Sequence, residues 1–184
     1  MEALQGNGAR AVLVTSYGNR AYDDTLKELA DFLEERGFAC CAAVAGIAEH
    51  SIMHQFAAGR PDASDLAELA DFGRRIASKV ADTASTDKLN VPGNAPYREY
   101  KGVPLKPKAG RKCTGCGACA RLCPVAAISE KDPKKTDKAR CISCMRCVKV
   151  CPHGARKANG FMVKVASKKM ESACRERKDN ELFM

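Results

Sequence analysis

Short apolar runs alternate with helical periodicity over the first part of the chain. Residues 11–15 and residues 38–45 are apolar and partly β-branched, which predicts two buried parallel strands. Between them, residues 26–33 carry apolar side chains at helical spacing, with acidic residues ahead and a glycine just beyond, as a helix dipole and a left-handed cap favour. Since a second helical stripe follows, the order predicts a βαβ unit with a parallel sheet.

The second predicted helix leads into a segment of different character. Asp62 or Ser64 can cap this helix. Its apolar stripe comprises Leu66, Leu69, Gly73, Ile76 and Val80. Four prolines and three glycines then fall within residues 83–110, which predicts an extended linker or a strap across a surface. Tyr97 and Tyr100 either pin this strap to a domain or make ordinary aromatic contacts.

From residue 112 onward the chain repeats itself with an offset of 28 residues. The run C-x2-C-x2-C-x3-C-P occurs at residues 113–124 and again at residues 141–152. Each copy is too short to bury a core alone, so the two copies predict one small domain with pseudo-twofold symmetry.

Composition and charge narrow the class of protein. The 184 residues are 45% hydrophobic, which excludes a chain disordered throughout. The longest apolar stretch, residues 38–48, is far shorter than the roughly 20 residues of a membrane-spanning helix, and the first residues lack the pattern of a secretory signal. We therefore expect a soluble, cytoplasmic protein without a membrane partner. Residues 1–82 carry a net charge of −5 and residues 83–184 a net charge of +14, which predicts two modules.

Eight of the eleven cysteines lie in the repeat. Disulfides do not persist in a reducing compartment, so metal or redox chemistry is the leading explanation. The repeated run matches the ligand pattern of bacterial two-cluster ferredoxins, in which the fourth cysteine of each run binds the other [4Fe–4S] cluster. By that match, cluster 1 is held by Cys113, Cys116, Cys119 and Cys151. Cluster 2 is held by Cys141, Cys144, Cys147 and Cys123.

Three other cysteine chemistries are weaker alternatives. Zinc also takes four thiolates in C-x2-C pairs, but two identical runs of four cysteines closed by proline are more specific for iron–sulfur clusters. A disulfide framework conflicts with the expected compartment. A [3Fe–4S] cluster would normally lack one ligand, and both runs are complete.

The basic second half of the chain raises the question of partners. A cationic surface attracts nucleic acid, but only Phe161 and Phe183 supply aromatic rings for base stacking after the linker. We therefore expect redox partner proteins with acidic docking surfaces, and no nucleic acid.

The remaining cysteines and the histidines are weaker candidates. Cys40 and Cys41 are adjacent on a predicted strand and point to opposite faces, so we interpret them as small buried hydrophobes. We interpret Cys174 as a plain thiol. The three histidines, at positions 50, 54 and 153, can bind ligands or tune a cluster, but structural or surface roles are favoured.

Taken together, the cysteine repeat and the N-terminal pattern resemble a known family, the bacterial and archaeal fusions of a flavodoxin-like domain with a two-cluster ferredoxin. Besides the cysteine runs, the resemblance rests on residues 17–22, 48–52, 56–61, 92–94 and 177–183. It implies FMN at the carboxyl ends of the strands, with Tyr22 stacked on the flavin ring and Gly18 and Asn19 beside it. A solvent-facing loop is the alternative for Tyr22.

The chain departs from that family in its first half. It resembles only the fourth and fifth strands of a flavodoxin-like fold, and Gly6 and Gly8 precede a strand, which is the wrong context for a phosphate-binding loop. A truncated gene, a late start codon or a split gene would explain this pattern. We expect the isolated chain to bind FMN weakly or not at all, unless a complementing chain supplies the flavodoxin half.

These observations predict four segments and one leading function. The segments are a partial flavodoxin-like α/β domain (1–82), a Pro/Gly-rich linker (83–110), a small α+β ferredoxin domain of the bacterial two-cluster type (111–160) and a basic C-terminal tail (161–184). The leading function is one-electron transfer by two [4Fe–4S] clusters, including transfer to or from a flavin. The alternatives are the iron–sulfur portion of a flavin-dependent oxidoreductase whose FMN phosphate-binding half lies on another chain, and a scaffold with structural clusters. A carrier is favoured over an enzyme, and no catalytic residue is assigned.

Overall fold

The computed structural model of the chain describes residues 4–82 and 88–184. Its strands are β1 (Arg10–Tyr17), β2 (Ala39–Ile47), β3 (Lys108–Ala109), β4 (Arg156–Lys157) and β5 (Glu181–Phe183). Its α-helices are α1 (Thr25–Glu34), α2 (Ala63–Ala81), α3 (Ala118–Arg121), α4 (Arg146–Lys149) and α5 (Gly160–Met170), and a 3₁₀ turn spans Ser172–Cys174. In the part of the chain that the structure describes, no helix combines the length and apolar content needed to cross a bilayer.

The chain divides into two compact units. The first contains the described parts of Met1–His50, His54–Glu99 and Ala173–Met184. The second contains Ser51–Met53 and Tyr100–Ser172.

The sheet of the first unit is built on the two predicted strands. Strands β1 and β2 pair in parallel from Arg10 opposite Ala39 to Tyr17 opposite Ile47, which confirms the predicted parallel pair. Strand β2 is central and buried along almost its whole length. Strand β1 is an edge strand buried on one face only, because Val12 and Val14 on its other face are 40% and 66% exposed.

A third strand comes from the C-terminus. Strand β5 pairs antiparallel with β2, with Ala43 opposite Phe183, so the sheet has the order β1–β2–β5 and is mixed. Within the predicted basic tail, residues 161–184, the chain forms most of helix α5, a 3₁₀ turn and strand β5. The physical reason is that β2 would otherwise present an open edge, and a three-residue strand covers it.

Helices α1 and α2 form close to where they are predicted. Helix α1 buries Leu26 completely. Asp62 caps α2 in a capping box with Asp65. The buried side of α2 differs from the predicted stripe, because Leu66 is 58% exposed and Phe72 occupies the core.

The proline-rich segment behaves as a strap where it is described; residues 83–87, the start of the predicted linker, lie outside the described residues. Leu89 and Val91 are buried in the core of the first unit. The Tyr97 hydroxyl donates to Asp31 Oδ2 at 2.6 Å, whereas Tyr100 is 68% exposed. Of the two tyrosines, Tyr97 thus pins the strap.

The second unit is held by short elements around the cysteine repeat. Helices α3 and α4 lie at equivalent places in the two copies and contact each other. Strands β3 and β4 pair antiparallel, with Lys108 opposite Lys157 and Ala109 opposite Arg156. This frame brings the two cysteine runs together.

Candidate metal centre

Both cysteine runs follow the same backbone path. In the first copy, Gly115 and Gly117 have φ of 78° and 74°, and in the second copy Ser143 and Met145 have φ of 57° and 60°. In each run, these left-handed residues come immediately before and immediately after the second cysteine. Glycine adopts such values without strain, but Ser143 and Met145 do so at a cost that the surroundings must offset.

The structure distributes the eight cysteines between two pockets. Site A is lined by Cys113, Cys116, Cys119 and Cys151. Site B is lined by Cys123, Cys141, Cys144 and Cys147. Site A encloses about 290 Å³ and site B about 340 Å³ of space, part of it open to solvent. Each site thus takes three cysteines from one copy of the repeat and the fourth from the other copy.

Within each site the four cysteines differ in exposure. Cys116 and Cys144, the second cysteine of each run, are exposed, while Cys119 is buried. The sulfur of each fourth cysteine accepts a backbone N–H at 3.2 Å, from Ala127 at Cys123 and from Ala155 at Cys151. The Ala155 amide lowers the pKa of the Cys151 thiol, because it stabilises the thiolate.

A buried arginine lies beside these sulfurs. The Arg156 side chain is 1% exposed. Its Nη1 donates to Pro133 O at 2.8 Å and to Cys119 Sγ at 3.6 Å, and its Nη2 donates to Thr136 Oγ1. Among the described residues, its Nε is buried without a hydrogen-bond partner. A buried guanidinium in this state costs several kcal/mol unless negative charge lies nearby.

The donor set and the buried cation fit an iron–sulfur cluster. Four thiolates are soft ligands that favour Fe–S clusters and zinc. A thiolate-ligated cluster is negatively charged and would be the counter-ion for the buried Arg156 guanidinium. Nowhere in the described residues are three His, Cys, Asp or Glu side chains grouped as a single metal ion would require. A cubane is ligated through four different iron atoms, so its thiolates line a cavity and do not meet at one point.

A lysine-rich pocket adjoins site B. It is lined by Lys106, Lys108, Lys134, Lys135 and Lys138, and we call it the lysine pocket. It has about 460 Å³ of space, part of it open to solvent, and Pro107 and Thr136 line both it and site B. The Lys106 ammonium donates to Cys141 O. Anionic groups that enter this pocket therefore lie next to the loop that carries the cysteines of site B.

The three residues predicted to contact FMN lie in the first unit, and two of them, Asn19 and Tyr22, hold its C-terminal segment. Asn19 is 3% exposed and donates through Nδ2 to Cys174 O at 2.9 Å and to Glu176 O at 2.8 Å. The Tyr22 hydroxyl donates to Glu181 Oε2 at 3.1 Å, and burial together with Glu181 raises its pKa to about 12.

Gly18 is tightly packed as well, because a Cβ there would lie 2.8 Å from the Cα of His50. Of the predicted flavin contacts, Asn19 and Tyr22 are therefore hydrogen-bonded to residues of the chain itself.

The remaining candidates have structural surroundings. Cys40 and Cys41 are both buried, with sulfurs directed at Ala30 O and Ala11 O. Cys174 is buried, and burial raises its pKa. His50 stacks edge-on against Phe56, His54 pairs with Glu49 at 2.6 Å, and the exposed His153 lines site A.

Comparison with known proteins agrees with the cysteine geometry. Residues 112–156 match the 4Fe-4S dicluster domain family. The match covers the cysteine repeat and the following residues as far as Arg156. No curated protein matches the chain. The second unit thus carries a ferredoxin-type iron–sulfur domain, and this domain supports an electron-transfer role with redox partners.

Sequence reasoning missed two features of the centre. Arg156 is the counterpart of Ile128 in the repeat, and its burial could have been inferred from that alignment of the two copies. The lysine pocket joins residues on both sides of the first cysteine run, so only the fold brings them together.

Proposed function

We propose that the protein is a one-electron carrier with two [4Fe–4S] clusters, one in site A and one in site B. The observation that carries this proposal is the sorting of eight cysteines into two pockets of four, each drawn from both copies of the repeat. The clusters are bound by Cys113, Cys116, Cys119 and Cys151 in site A and by Cys123, Cys141, Cys144 and Cys147 in site B. Because each cluster joins the two copies, cluster binding and folding of this unit are coupled.

When bound, the clusters supply reversible one-electron chemistry. The chain provides the rest. Amide N–H groups at Cys123 and Cys151 stabilise the thiolates, and burial of Cys119 lowers the local dielectric. The exposed Cys116 and Cys144 bring each site to the surface, where an electron can pass to a partner without entering the interior.

The partner that fits this surface is a redox protein with an acidic docking face. The lysine pocket adjoins site B, and Lys108 stands directly opposite Lys157 across the β3–β4 pair. Like charges directly opposite destabilise a strand pair, so this arrangement gains free energy when carboxylates approach.

A flavin-dependent oxidoreductase is the second candidate, on the family resemblance and one structural observation. Val12 and Val14 are exposed on β1, which lies at the edge of the sheet, so a further chain can add strands there. That chain would complete a flavodoxin-like domain and provide the FMN phosphate site near Gly18, Asn19 and Tyr22. The chain alone should lose FMN on gel filtration, and retention of stoichiometric FMN would contradict this.

Paired cysteine substitutions test the crossed ligand sets. Cys123→Ser and Cys144→Ser remove ligands of the same site, so the double variant should keep about four irons per chain, as each single variant does. Cys123→Ser combined with Cys116→Ser removes a ligand from both sites and should leave almost no iron. Uncrossed sites would give the opposite pattern, and equal iron in all variants would refute ligation by these residues.

A further inference from the structure

The two copies of the repeat differ in charge at one buried position. An offset of 28 residues places Arg156 on Ile128, and both side chains are buried, at 1% and 5% exposure. Ile128 lines site B, whereas Arg156 lines site A. A permanent positive charge therefore stands in one copy where the other copy has a hydrocarbon side chain.

The contacts of Arg156 direct its charge at a ligand of site A. Its Nη1 is 3.6 Å from Cys119 Sγ, and its other bonds go to a carbonyl and a hydroxyl, both neutral. No carboxylate of the described residues forms an ion pair with it, and its Nε is without a partner there. The nearest compensating charge is thus whatever the cysteines around Arg156 hold, among which Cys119 of site A is in contact with Nη1.

The field of Arg156 also reaches one ligand of site B. The Arg156 side chain interacts directly with Cys147, which lines site B. Cys147 packs against the cluster formed by Cys119, Ala120 and Ile128. Arg156 therefore lies at the inner junction of the two sites, and of the two it lines site A.

We propose that Arg156 makes the two sites unequal in reduction potential. This inference rests on the proposed function. Reduction adds one negative charge to a cluster, and a fixed cation in a low-dielectric interior stabilises that charge. The cluster in site A, beside Arg156, therefore has the higher potential. The lysines beside site B raise its potential less, because four of the five are exposed and solvent screens their charge, whereas Arg156 is buried. A cluster in site B would therefore have the lower potential of the pair.

Arg156 is a positioning and tuning residue, so its test must separate charge from packing. The full chain is reconstituted anaerobically with iron and sulfide, and its iron content is measured first. Redox titration with dithionite, followed by electron paramagnetic resonance, then gives the potential of each cluster. The wild type should show two resolved one-electron steps.

Three variants separate the contributions. Arg156→Met removes the charge and should lower the higher of the two potentials, that of the site A cluster. At a fixed ambient potential, the reduced-to-oxidised ratio of this cluster should fall at least tenfold, which corresponds to about 59 mV for a one-electron couple. Arg156→Lys keeps the charge and should hold that ratio within threefold. Ile128→Met makes the equivalent change of packing without a change of charge and should leave both steps in place.

Each outcome decides the inference. A single step for both wild-type clusters overturns it, as does an unchanged upper potential in Arg156→Met with full iron. If Arg156→Met does not hold iron, the single-site variants decide: the cluster left in Cys123→Ser must have a higher potential than the cluster left in Cys151→Ser. Failure of the wild type to bind iron would instead refute the proposed function.

Discussion

The buried carboxylate of Asp65 should contribute more to stability than any surface ion pair of the first unit. Its side chain is 2% exposed and accepts from Arg60 Nε at 2.8 Å, from the Asp62 amide at 2.8 Å and from Arg177 Nη2 at 3.2 Å. It also accepts from Asn180 Nδ2 at 3.3 Å, in the segment that leads into β5. One carboxylate thus ties the start of α2 to the C-terminal segment.

Asp65→Asn removes the charge and leaves the Arg60 guanidinium, 5% exposed, without its counter-ion. Breaking a buried pair from one side costs about 3–5 kcal/mol. Hydrogen exchange of β2 amides, measured by mass spectrometry, should therefore speed up by roughly two to three and a half orders of magnitude when exchange follows unfolding. Asp71→Asn is the matched control, because the Asp71–Arg74 pair is 51% and 70% exposed and should contribute about 0–1 kcal/mol. Equal small effects in both variants would refute the reasoning.

The pH dependence follows from the same contacts. Hydrogen bonding to Arg60 holds the pKa of Asp65 far below its ordinary value. A carboxyl with a depressed folded pKa stabilises the fold above its unfolded pKa, about 4, and loses that contribution as the pH falls toward the folded value. The difference in exchange between wild type and Asp65→Asn should thus be full at pH 7 and narrow below about pH 4. A constant difference over this range would contradict the assigned cause.

Two further predictions concern the core and the docking surface. Leu26→Ala, at a fully buried position, should destabilise the first unit by about 2–5 kcal/mol by urea unfolding, whereas Leu66→Ala at an exposed position should cost far less. Lys134→Gln with Lys138→Gln should slow reduction of ferricyanide, an anionic acceptor, by about threefold to tenfold at low salt, with the difference vanishing at high salt. The matched control neutralises two exposed lysines of α5, Lys164 and Lys168. An equal loss in the control would assign the effect to net charge alone.

The predictable parts of this protein are those that a local pattern specifies. Apolar runs in the sequence predict strands β1 and β2. Apolar residues at helical spacing predict α1, and Gly37, with a left-handed φ of 77°, marks the turn after its end. The cysteine spacing specifies the iron–sulfur domain, because ligand loops must place sulfur at fixed intervals.

The unpredicted parts depend on contacts distant in sequence. Strand β5 has only three residues, which is too short for an alternating pattern to predict it. It is defined by its pairing with β2. In α2, Leu66 of the predicted stripe is exposed, and Phe72, outside that stripe, is buried, because the neighbours of the helix decide which side is buried. Arg156 breaks the apolar pattern of the repeat, and its partners Pro133 and Thr136 are some twenty residues away.

The most direct test of the two-cluster carrier is a count of iron and acid-labile sulfide after anaerobic reconstitution of the full chain, followed by electron paramagnetic resonance of the dithionite-reduced protein. Two cubanes predict about eight irons and about eight sulfides per chain, with signals from two interacting reduced clusters. One or two zinc ions with no sulfide, or cysteines oxidised to one another, would contradict the account.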